Sequence, residues 1–474
     1  MLLSELIAGS LHRAPDLGWE ISPDAGDPSI ASMRLDSRGV QSGDLFLCVP
    51  GDVTDGHNFA SKAIEAGAVA LVVDRWLDMP VPQVRVTDVR SAMAHISNMF
   101  FGDPSRELQV IGITGTNGKT TTAHLVKAIL DHTGVPCGLL GTLSGARTTP
   151  EAPHLQGSLR AMVDEGIRAV AIEVSSHALV QGRVTGMNID VGVFTNLSPD
   201  HLDYHGTLDE YFEAKSSLFR AGLVDVAVIN TDDPRGAALI ESLDVPATGY
   251  SRALLEDVEV TMSGSEFTWR GHRVTLALPG LFNMENAVAA AEAVRLLGID
   301  DGSIAAGLSA AGQVAGRFEV VLHGDETMAT VIVDYSHTPA GIEQVLRSVH
   351  EIDPEAVVCI VFGAGGDRDR EKRPLMGAAA AAGADRVIVT SDNPRSEAPQ
   401  AIVDEILAGI DDLSCVHVEL DRRAAISMAI VSYGANGVIV VAGKGHERTQ
   451  TIGDDVFAFD DRAVVRELVG GGTR

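Results

Sequence analysis

A short glycine-rich segment, GTNGKTT at residues 115–121, is the most chemically specific part of the sequence. Its glycines let backbone N–H groups turn toward an anion, Lys119 supplies a mobile positive charge, and Thr120 supplies a hydroxyl that suits Mg²⁺. The strand-like run LQVIGIT precedes the segment and the helix-like run TTAHLVKAILDHTG follows it, so Gly118, Lys119 and Thr120 are predicted to start a helix. The pattern predicts a loop that binds the phosphates of ATP or GTP.

The spacing of this loop departs from the full G-x-x-x-x-G-K-[ST] pattern, because Ile113 stands five residues before Gly118. A glycine turn that merely links a strand to a helix is the alternative, and the placement of the lysine and the hydroxyl disfavours it. The loop alone does not distinguish a ligase from a nucleotide-driven switch. Other residues must decide between them.

Apolar runs that end in polar residues recur along the chain, as in AVAIEV, VGVFTN, ATVIVDYSH and GVIVVAGKGHE. Such runs are typical of buried parallel strands whose carboxyl ends carry a site. The alternating stretch VEVTMSGSEFTWRGHRVTLALPG instead predicts an antiparallel hairpin. We therefore predict an α/β protein with mostly parallel sheets.

The length of 474 residues is too great for one ordinary core, and the rhythm of strands predicts three domains. We place them at 1–104, 105–316 and 317–474. The first is a small α/β module, the second contains the phosphate loop, and the third repeats strand and helix in the manner of a Rossmann-like domain.

The net charge of −29 argues against a nucleic-acid or anionic-membrane partner and requires basic residues to be concentrated wherever anions bind. Arg368, Arg370, Lys372 and Arg373 form one such concentration. The four cysteines lack CxxC spacing and are expected to be buried. No run is long and apolar enough to span a membrane, so a cytoplasmic location is expected, and we expect a monomer.

A series of motifs extends over nearly the whole chain and resembles the Mur ligase family of peptidoglycan synthesis. The motifs are DSR at 36–38, EVSSH at 173–177, TNLSPDHLDYHG, YFEAKSSLF, NMENAVAA, GRFE, DYSHTP, GGDRDREKRPLMG, DNPR, AGKGHE and DDR at 460–462. The resemblance implies a uridine-nucleotide domain, a central ATPase domain with the phosphate loop, and a C-terminal domain for the incoming amino acid. It also implies that ATP activates the side-chain carboxylate of D-glutamate in UDP-N-acetylmuramoyl-L-alanyl-D-glutamate as an acyl phosphate, which an amine then attacks.

The resemblance implies a catalytic set around two magnesium ions. Thr120 and Glu173 would hold one ion, and Glu173, His201 and Lys215 would hold the other, with Lys215 carbamylated by CO₂ and thereby converted into a carboxylate. Lys119 completes the catalytic set. Such a set is needed because phosphoryl transfer to a carboxylate brings two anions together. A switch protein has no need of Glu173, His201 and Lys215 together.

The same resemblance assigns three groups of binding residues. The ATP group is Gly115, Thr116, Asn117, Gly118, Lys119, Thr120, Thr121, Asn286, Arg317 and Asp334. The group for the uridine nucleotide and its peptide is Leu35, Ser37, Thr148, Thr149, Ser175, Gln181 and Arg183. The group for the amino acid is Arg368, Asp392, Asn393, Pro394, Arg395, Gly443 and Glu447.

The segment DNPR at 392–395 indicates which amino acid is added. Diaminopimelate differs from lysine by a second carboxylate, and the guanidinium of Arg395 is suited to bind a carboxylate through two hydrogen bonds. Lysine-adding relatives resemble this segment but lack the arginine. The resemblance therefore implies meso-diaminopimelate, with Glu447 facing its distal ammonium group.

One segment departs from the family pattern. Only Ser144, Gly145, Ala146 and Arg147 separate GTL at 141–143 from TTP at 148–150, whereas many relatives have a longer loop and an asparagine at the position of Arg147. A paralogue with an altered acceptor is therefore an alternative, as is a ligase of the folylpolyglutamate synthase type. DNPR and the uridine-site motifs disfavour the second.

Overall fold

The computed structural model describes residues 1–23, 26–51, 54–145, 147–220, 222–325, 327–433 and 437–470. These residues form three large sheets that follow one another along the chain, each with helices packed on it. The predicted α/β class is confirmed, as is the predicted succession of three α/β units along the chain. Ala146, in the short loop noted above, lies outside the described residues.

The first sheet has five strands in the order β1-β5-β4-β3-β2, and all neighbours are parallel except β1 and β5. Apolar side chains form a core on each of its faces, with Leu45 and Leu47 on one face and Phe46 on the other. Its elements are β1 (Glu20–Ile21), β2 (Ser32–Arg34), β3 (Asp44–Leu47), β4 (Ala70–Val73) and β5 (Gln83–Arg85), with α1 (Leu3–Arg13), α2 (Ala60–Glu65) and α3 (Val89–Phe100).

The central sheet has six parallel strands in the order β11-β10-β9-β6-β8-β7. The strands are buried on both faces, which explains why they are near-continuous apolar runs in the sequence. They are β6 (Gln109–Thr114), β7 (Cys137–Leu140), β8 (Ala169–Glu173), β9 (Ile189–Phe194), β10 (Val224–Asn230) and β11 (Ala247–Tyr250). The helices are α4 (Lys119–His132), α5 (Ala152–Asp164), α6 (Ser176–Val180), α7 (Leu202–His205), α8 (Leu208–Ser216), α9 (Pro234–Ser242), α10 (Leu281–Leu296) and α11 (Asp301–Ala310).

The alternating stretch forms three antiparallel strands rather than the predicted two-stranded hairpin. They are β12 (Leu255–Thr261), β13 (Gly264–Trp269) and β14 (His272–Leu276). In the middle strand, buried residues such as Phe267 and Trp269 alternate with less buried ones. A second tight turn at Arg270–Gly271 connects this strand to the third, which pairs with it. Both turn residues have positive φ, which the arginine gave no reason to expect.

The third sheet has six strands in the order β15-β16-β20-β17-β18-β19, parallel except for the first pair. A two-stranded ribbon, β21 and β22, lies beyond it. The strands are β15 (Glu319–Leu322), β16 (Thr330–Asp334), β17 (Val357–Phe362), β18 (Arg386–Val389), β19 (Val416–Val418), β20 (Gly437–Ala442), β21 (Thr449–Ile452) and β22 (Asp455–Ala458). The helices are α12 (Pro339–Ile352), α13 (Lys372–Gly383), α14 (Pro399–Leu407), α15 (Arg422–Ser432) and α16 (Asp461–Gly470).

The cysteines and the helix lengths bear on two of the expectations drawn from composition. Cys48, Cys137 and Cys359 are buried and free as expected, whereas Cys415 is half-buried because it lies in a short turn before β19. Within the described ranges, no helix combines the length and the apolar character that a bilayer crossing requires.

Candidate active site

A cavity of about 960 Å³ lies between the carboxyl ends of the central and C-terminal sheets. The structure brings most of the predicted site residues to its walls, from elements far apart in the chain. Those that line it are Thr116, Asn117, Gly118, Lys119, Thr120, Thr121, Thr148, Thr149, Glu173, Ser175, Arg183, His201, Asn286, Arg317, Asp334, Arg368, Asp392, Asn393, Arg395, Gly443 and Glu447. The predicted residues outside its lining are Leu35, Ser37, Gly115, Gln181, Lys215 and Pro394.

The phosphate loop connects β6 to α4, as predicted. Gly118 is the residue before the helix and has φ +86°, and Gly115 has φ +145°. A Cβ on Gly115 would lie 1.9 Å from the hydroxyl oxygen of Thr195, so this position accepts no side chain. The loop therefore turns with its backbone toward the start of α4, where the helix dipole favours an anion.

Lys119 is fixed by the loop itself. Its Nζ donates to the carbonyl oxygens of Gly115 and Thr116, both at 2.8 Å. Burial lowers the pKa of Lys119, and Arg317 lowers it further, while Glu173 acts in the opposite direction. The ammonium group is thus held at the mouth of the loop, where a phosphate would meet it.

Glu173 and Thr120 face each other across the cavity floor. The Thr120 hydroxyl donates to Glu173 Oε2 at 2.9 Å, and the backbone N–H of Thr142 donates to Oε1 at 2.8 Å. Arg317 also donates to the Thr120 hydroxyl, at 3.0 Å. A carboxylate beside a hydroxyl at the start of the phosphate loop is a pair of oxygen donors that suits Mg²⁺.

His201 lies in a cluster of rings on the same side of the cavity. Its ring is 4.9 Å from that of His177, which stacks on Tyr204 at 4.1 Å. Burial lowers the pKa of His201 to about 4, although Asp200 raises it, so the imidazole is neutral at pH 7 and able to bind a metal ion. Its backbone φ of +55° is uncommon for a residue other than glycine.

Lys215 lies behind the phosphate loop rather than on the cavity surface. Its side chain is 1% exposed, its Nζ donates to the carbonyl of Gly115 at 2.7 Å, and it lies 4.3 Å from the centre of the Tyr211 ring. Burial lowers its pKa well below the ordinary value, and the nearby Lys119 lowers it further. The amine of Lys215 is therefore biased toward its neutral form.

Asn286 and Asp334 line the cavity from α10 and from the end of β16. The amide oxygen of Asn286 accepts from Thr122 at 3.4 Å and closes against Gly118, where a Cβ would be 2.3 Å from it. Both carboxylate oxygens of Asp334 accept backbone N–H groups, from Phe318 and Ser336, each at 2.7 Å. Hydrogen bonds within the protein thus fix the positions of these two side chains.

Thr149, Ser175, Gln181 and Arg183 form one hydrogen-bonded group at the other end of the cavity. The Thr149 hydroxyl accepts from the backbone of Ser175 at 3.0 Å and lies 3.3 Å from its hydroxyl. Arg183 donates to the carbonyl of Thr149 at 2.7 Å and to the amide oxygen of Gln181 at 2.6 Å. Gln181 therefore orients Arg183 without lining the cavity.

Leu35 and Ser37 follow β2 in the first sheet. Leu35 packs against the core on one face of that sheet, and Ser37 begins a short 3₁₀ turn that Asp36 caps. The structure does not bring either residue to the cavity wall.

The loops that follow β17, β18 and β20 carry the residues predicted to bind the amino acid. Asn393 donates to Glu447 Oε2 at 2.8 Å, and Lys444 donates to the same oxygen at 3.0 Å. Burial alone would raise the pKa of Glu447, but Lys444 and Asn393 outweigh it and the net shift is downward. Glu447 is thus an anion held in the cavity wall.

Arg395 donates to the carbonyl of Gly366 at 2.6 Å, and its backbone φ is +52°. Asp392 is buried, and burial raises its pKa. Gly443 has φ +109°, and a Cβ there would lie 2.6 Å from Asp392 Oδ2. Close packing explains the glycine at 443.

The predicted concentration of basic residues at 368–373 is wrong in part. Arg373 is fully buried and pairs with Glu397 and Glu405, both at 2.8 Å, and Arg370 pairs with Glu405 on the surface. Only Arg368 and Lys372 line the cavity. A run of charges shows how many cations are present but not which of them face the cavity, because two precede α13 and two lie in its first turn.

Several lining residues were not predicted as site residues, among them His177, Asp200, Tyr335, His337 and His446. The residues just named all fall inside motifs that the sequence displays, so the motifs carried the signal. The ring of Tyr335 lies 4.3 Å below the Arg317 guanidinium, and Nδ1 of His337 is 2.8 Å from the Tyr335 carbonyl oxygen. Among the described residues, no three His, Cys, Asp or Glu side chains gather closely enough to hold a metal by themselves.

Comparisons with known proteins agree over the whole chain. Residues 29–101 match the model described as "Mur ligase family, catalytic domain", residues 113–294 the Mur ligase middle domain, and residues 316–445 the "Mur ligase, glutamate ligase domain". The chain is 44% identical to the UDP-N-acetylmuramoyl-L-alanyl-D-glutamate–2,6-diaminopimelate ligase of Geobacillus thermodenitrificans. That match covers 99% of this chain and 98% of the relative.

Two solved structures extend the comparison. A UDP-N-acetylmuramoyl-L-alanyl-D-glutamate–2,6-diaminopimelate ligase shares 34% identity with a TM-score of 0.66, over 96% of this chain and 98% of that one. Mycobacterium tuberculosis folylpolyglutamate synthase, solved with ADP, shares 20% identity with a TM-score of 0.61, over 74% of this chain and 91% of that one. The second likeness is one of fold and leaves a quarter of this chain unmatched.

Proposed function

Because the chain belongs to the Mur ligase family, we propose that it adds diaminopimelate to UDP-N-acetylmuramoyl-L-alanyl-D-glutamate. It is an ATP-dependent amino-acid ligase of peptidoglycan synthesis. The amino acid, the metal ions and the role of each residue are the proposed parts.

The observation that carries the proposal is that the phosphate loop and the Arg395 pocket open into one cavity. An acyl phosphate formed beside Lys119 would therefore be within the same enclosed space as an amino acid whose distal end is held by Arg395 and Glu447. Enclosure favours attack by the amine over hydrolysis by water, which is the requirement of a ligase.

The charges of the amino-acid pocket support diaminopimelate over lysine. Arg395 and Arg368 are cations that suit two carboxylates, and Glu447 is an anion that suits an ammonium group. Lysine has only one carboxylate and would leave one guanidinium without an anionic partner. Asn393 holds Glu447 through a hydrogen bond, and Asp392, Pro394 and Gly443 are the other residues that we assign to this pocket.

The acceptor is assigned to the first two domains. Thr148, Thr149, Ser175 and Arg183, with Gln181 behind them, would bind the muramoyl peptide, and Leu35 and Ser37 would contact the uridine nucleotide. The proposed domain limits follow this division: 1–104 for the uridine nucleotide, 105–316 for ATP and 317–474 for the amino acid. Because its substrates are nucleotides of the cell interior, we place the enzyme in the cytoplasm. We further propose that it acts as a monomer.

ATP would bind across the loop of residues 115–121. Backbone N–H groups of Thr116, Asn117 and Gly118 would meet the phosphates, Lys119 would reach the γ-phosphate, and Thr121 lies in the first turn of α4. Asn286 would contact the adenine, Arg317 the phosphates and Asp334 the ribose. Arg317 precedes the first strand of the C-terminal sheet and donates to Thr120 of the central domain. Its contact with phosphate would therefore couple ATP binding to the position of the C-terminal domain.

The adjacent oxygen donors of Thr120 and Glu173 fit Mg²⁺. Thr120 and Glu173 would hold one ion, and Glu173, His201 and a carbamylated Lys215 would hold a second. The ions would neutralise the negative charge that builds up as phosphate is transferred.

The environment of Lys215 supports its carbamylation. A neutral amine is the nucleophile that attacks CO₂, forming an N–C bond and releasing one proton to solvent. Burial beside Lys119 biases Lys215 toward that neutral form. The resulting carbamate is an anion and would attract the Lys119 ammonium group, whereas a protonated Lys215 would repel it.

In the reaction, a γ-carboxylate oxygen of D-glutamate attacks the γ-phosphorus of ATP, and ADP leaves. Lys119 and Arg317 stabilise the transferred phosphoryl group. The amine of diaminopimelate then attacks the acyl carbon, inorganic phosphate leaves, and one proton is lost from the nitrogen. Glu447 and Arg395 orient the amino acid for this attack.

Phosphate release by purified protein tests the proposal. The protein would receive ATP, Mg²⁺ and UDP-N-acetylmuramoyl-L-alanyl-D-glutamate, with diaminopimelate, lysine or ornithine in turn, and the product would be identified by mass. We expect release only with diaminopimelate. Equal turnover with lysine would refute the amino-acid assignment, and turnover that does not require the uridine nucleotide would point to a different acceptor.

A further inference from the structure

Three arginines surround the single carboxylate of Glu151 at the acceptor end of the cavity. Arg183 lies 2.9 Å from Glu151 Oε1, Arg147 pairs with the same oxygen, and Arg90 lies 3.8 Å from Oε2. The Glu151 side chain is only 8% exposed, so its carboxylate interacts mainly with these three cations and little with water. Three positive charges against one negative charge leave the group with a net charge of +2.

The group is assembled from distant parts of the chain. Arg90 is in the first turn of α3, Arg147 is in the short loop after β7, Arg183 follows α6, and Glu151 precedes α5. Arg147 and Arg183 line the cavity, while Arg90 lies behind Glu151. Two of the three cations therefore face the space assigned to the acceptor.

Among the described residues, no carboxylate other than Glu151 forms an ion pair with these three arginines. Within the same part of the chain, the buried Nε of Arg183 has no hydrogen-bond partner, and Arg183 is 8% exposed. Burial lowers the pKa of Arg183, and Arg147 and Arg90 lower it further, although Glu151 opposes them. Such crowding of cations is favourable only when an anion joins them.

Arg147 is the most adaptable member of the group. Its side chain is 56% exposed, and its ion pair with Glu151 spans four residues, a type of exposed contact that contributes little on its own. An incoming anion could therefore recruit Arg147 at small cost, because Glu151 remains paired with Arg183.

We propose that Arg147 is a substrate-binding and specificity-determining residue, which together with Arg183 holds an anionic oxygen group of the acceptor. The inference rests on the proposed acceptor. That acceptor offers two groups of this chemistry, the free α-carboxylate of its D-glutamate and its diphosphate. A guanidinium binds either of them with paired hydrogen bonds.

The test compares Arg147→Ala and Arg147→Asn with wild type. We expect the KM for the acceptor to rise about tenfold in both variants, because each loses a charge-assisted hydrogen bond. The KM values for ATP and diaminopimelate should stay within about twofold of wild type, since their sites contain other cations. Arg147→Lys should recover part of the loss.

Arg160→Ala is the matched control. Arg160 also pairs with a carboxylate four residues later, Asp164, but it does not line the cavity. Its variant should have wild-type KM values. An acceptor KM within about twofold of wild type in Arg147→Ala, or an equal rise in Arg160→Ala, would overturn the role of Arg147.

Two acceptor analogues identify the bound group. One carries isoglutamine, in which the α-carboxylate is an amide and the reacting side-chain carboxylate is kept, and the other lacks the uridine diphosphate. The difference between wild type and Arg147→Ala should vanish for whichever analogue lacks the partner of Arg147. A difference that persists with both analogues would refute anion binding by Arg147.

The outcomes separate this inference from the proposed function. Absence of turnover by the wild-type protein with the acceptor would remove the function itself. Wild-type turnover with unaltered kinetics in Arg147→Ala would remove only the role of Arg147. Thermal unfolding of each variant, unchanged from wild type, would show that the loss is one of binding.

Discussion

The two halves of the cavity are held together in different ways. In the nucleotide half, the phosphate loop is contiguous, and its groups are fixed by backbone atoms, as when Lys119 donates to two loop carbonyls. In the amino-acid half, Asn393, Glu447 and Lys444 hold one another through side chains from different loops. The first half depends on local backbone shape, and the second depends on long-range pairing of charges.

A different buried basic residue supports each half of the cavity. Lys215 is buried beneath the phosphate loop and contacts it at the Gly115 carbonyl. Arg422 is buried beneath the amino-acid pocket and donates to the carbonyls of Ser391 and Ala442, next to Asp392 and Gly443. Replacing these two residues should damage the two halves in different ways.

The largest effect is expected at Lys215. We predict that Lys215→Ala lowers kcat by about a thousandfold or more, because both the proposed carbamate and a support of the phosphate loop are lost. Steady-state phosphate release measures it, and added bicarbonate should not restore it. Lys215→Met, which keeps the aliphatic stem, should be equally inactive, and the exposed Lys62→Ala serves as the control.

The modification itself can be tested separately. Intact-mass measurement of wild-type protein in bicarbonate should find the mass of one bound CO₂, and the Lys215 variants should lack it. Appreciable turnover by Lys215→Met would remove the carbamate from the mechanism. The nucleotide half would then depend on backbone shape alone.

Arg422 is expected to affect stability rather than chemistry. Arg422 and Asp461 form an ion pair at 2.8 Å with both side chains fully buried. Arg422→Ala leaves Asp461 unpaired, and we predict a loss of about 3–5 kcal/mol in the local free energy of unfolding. Native-state hydrogen exchange of the amides in β18 and β20 measures it, because a chain with three sheets does not unfold in one step.

The neighbouring residue provides the control. Arg423 is half exposed and pairs with exposed Glu467, so Arg423→Ala should cost about 0–1 kcal/mol. The double variant Arg422→Met with Asp461→Leu should recover much of the loss, since it removes both buried charges. Equal exchange rates in both single variants would mean that the buried pair does not support the amino-acid half.

Arg395 tests the recognition function of the amino-acid half. We predict that Arg395→Ala weakens diaminopimelate binding by about 2–5 kcal/mol, the usual loss when one partner of a buried charge pair is truncated. The KM for diaminopimelate measures it, and the KM for ATP should not change. Arg370→Ala, which removes a surface cation paired with Glu405, is the control. An unchanged KM for diaminopimelate in Arg395→Ala would reject the pocket assignment.

The difference between the halves explains what the sequence reveals. The phosphate loop was predictable because its glycines, lysine and threonine are adjacent and lie between a strand and a helix. Arg373 was misassigned because its partners, Glu397 and Glu405, lie 24 and 32 residues away and decide its burial. Resemblance to a family supplied the remaining residues, and it gave no hint that Lys215 lies behind the cavity wall.

The role of Arg147 is a second feature that could not be predicted from the sequence. The sequence shows that Arg147 departs from the family pattern, but it does not show that Arg90 and Arg183 converge with Arg147 on Glu151. No pattern in the sequence brings α3 next to α5. The fold class followed from local periodicity, whereas this convergence required the packing of the first two sheets.

The smallest predicted effect concerns the helix that carries Lys215. Thr207 caps α8, since its hydroxyl accepts from the backbone N–H of Glu210 at 3.2 Å. The Glu210 carboxylate in turn accepts from the backbone N–H of Thr207 at 3.0 Å. Thr207→Ala should cost about 1 kcal/mol of stability. Asp300 caps α11, away from the cavity lining, because its carboxylate accepts from the backbone of Ser303 at 2.9 Å, and Asp300→Ala should cost a similar amount.

Kinetics distinguish the two caps. If the nucleotide half depends on the exact position of Lys215, Thr207→Ala should also lower kcat a few-fold, because fraying of α8 loosens its lysine, whereas Asp300→Ala should leave kcat unchanged. Thermal unfolding and phosphate release, measured on both variants, give the comparison. Equal kcat values would mean that burial against Gly115 and Tyr211 fixes Lys215 without help from the start of its helix.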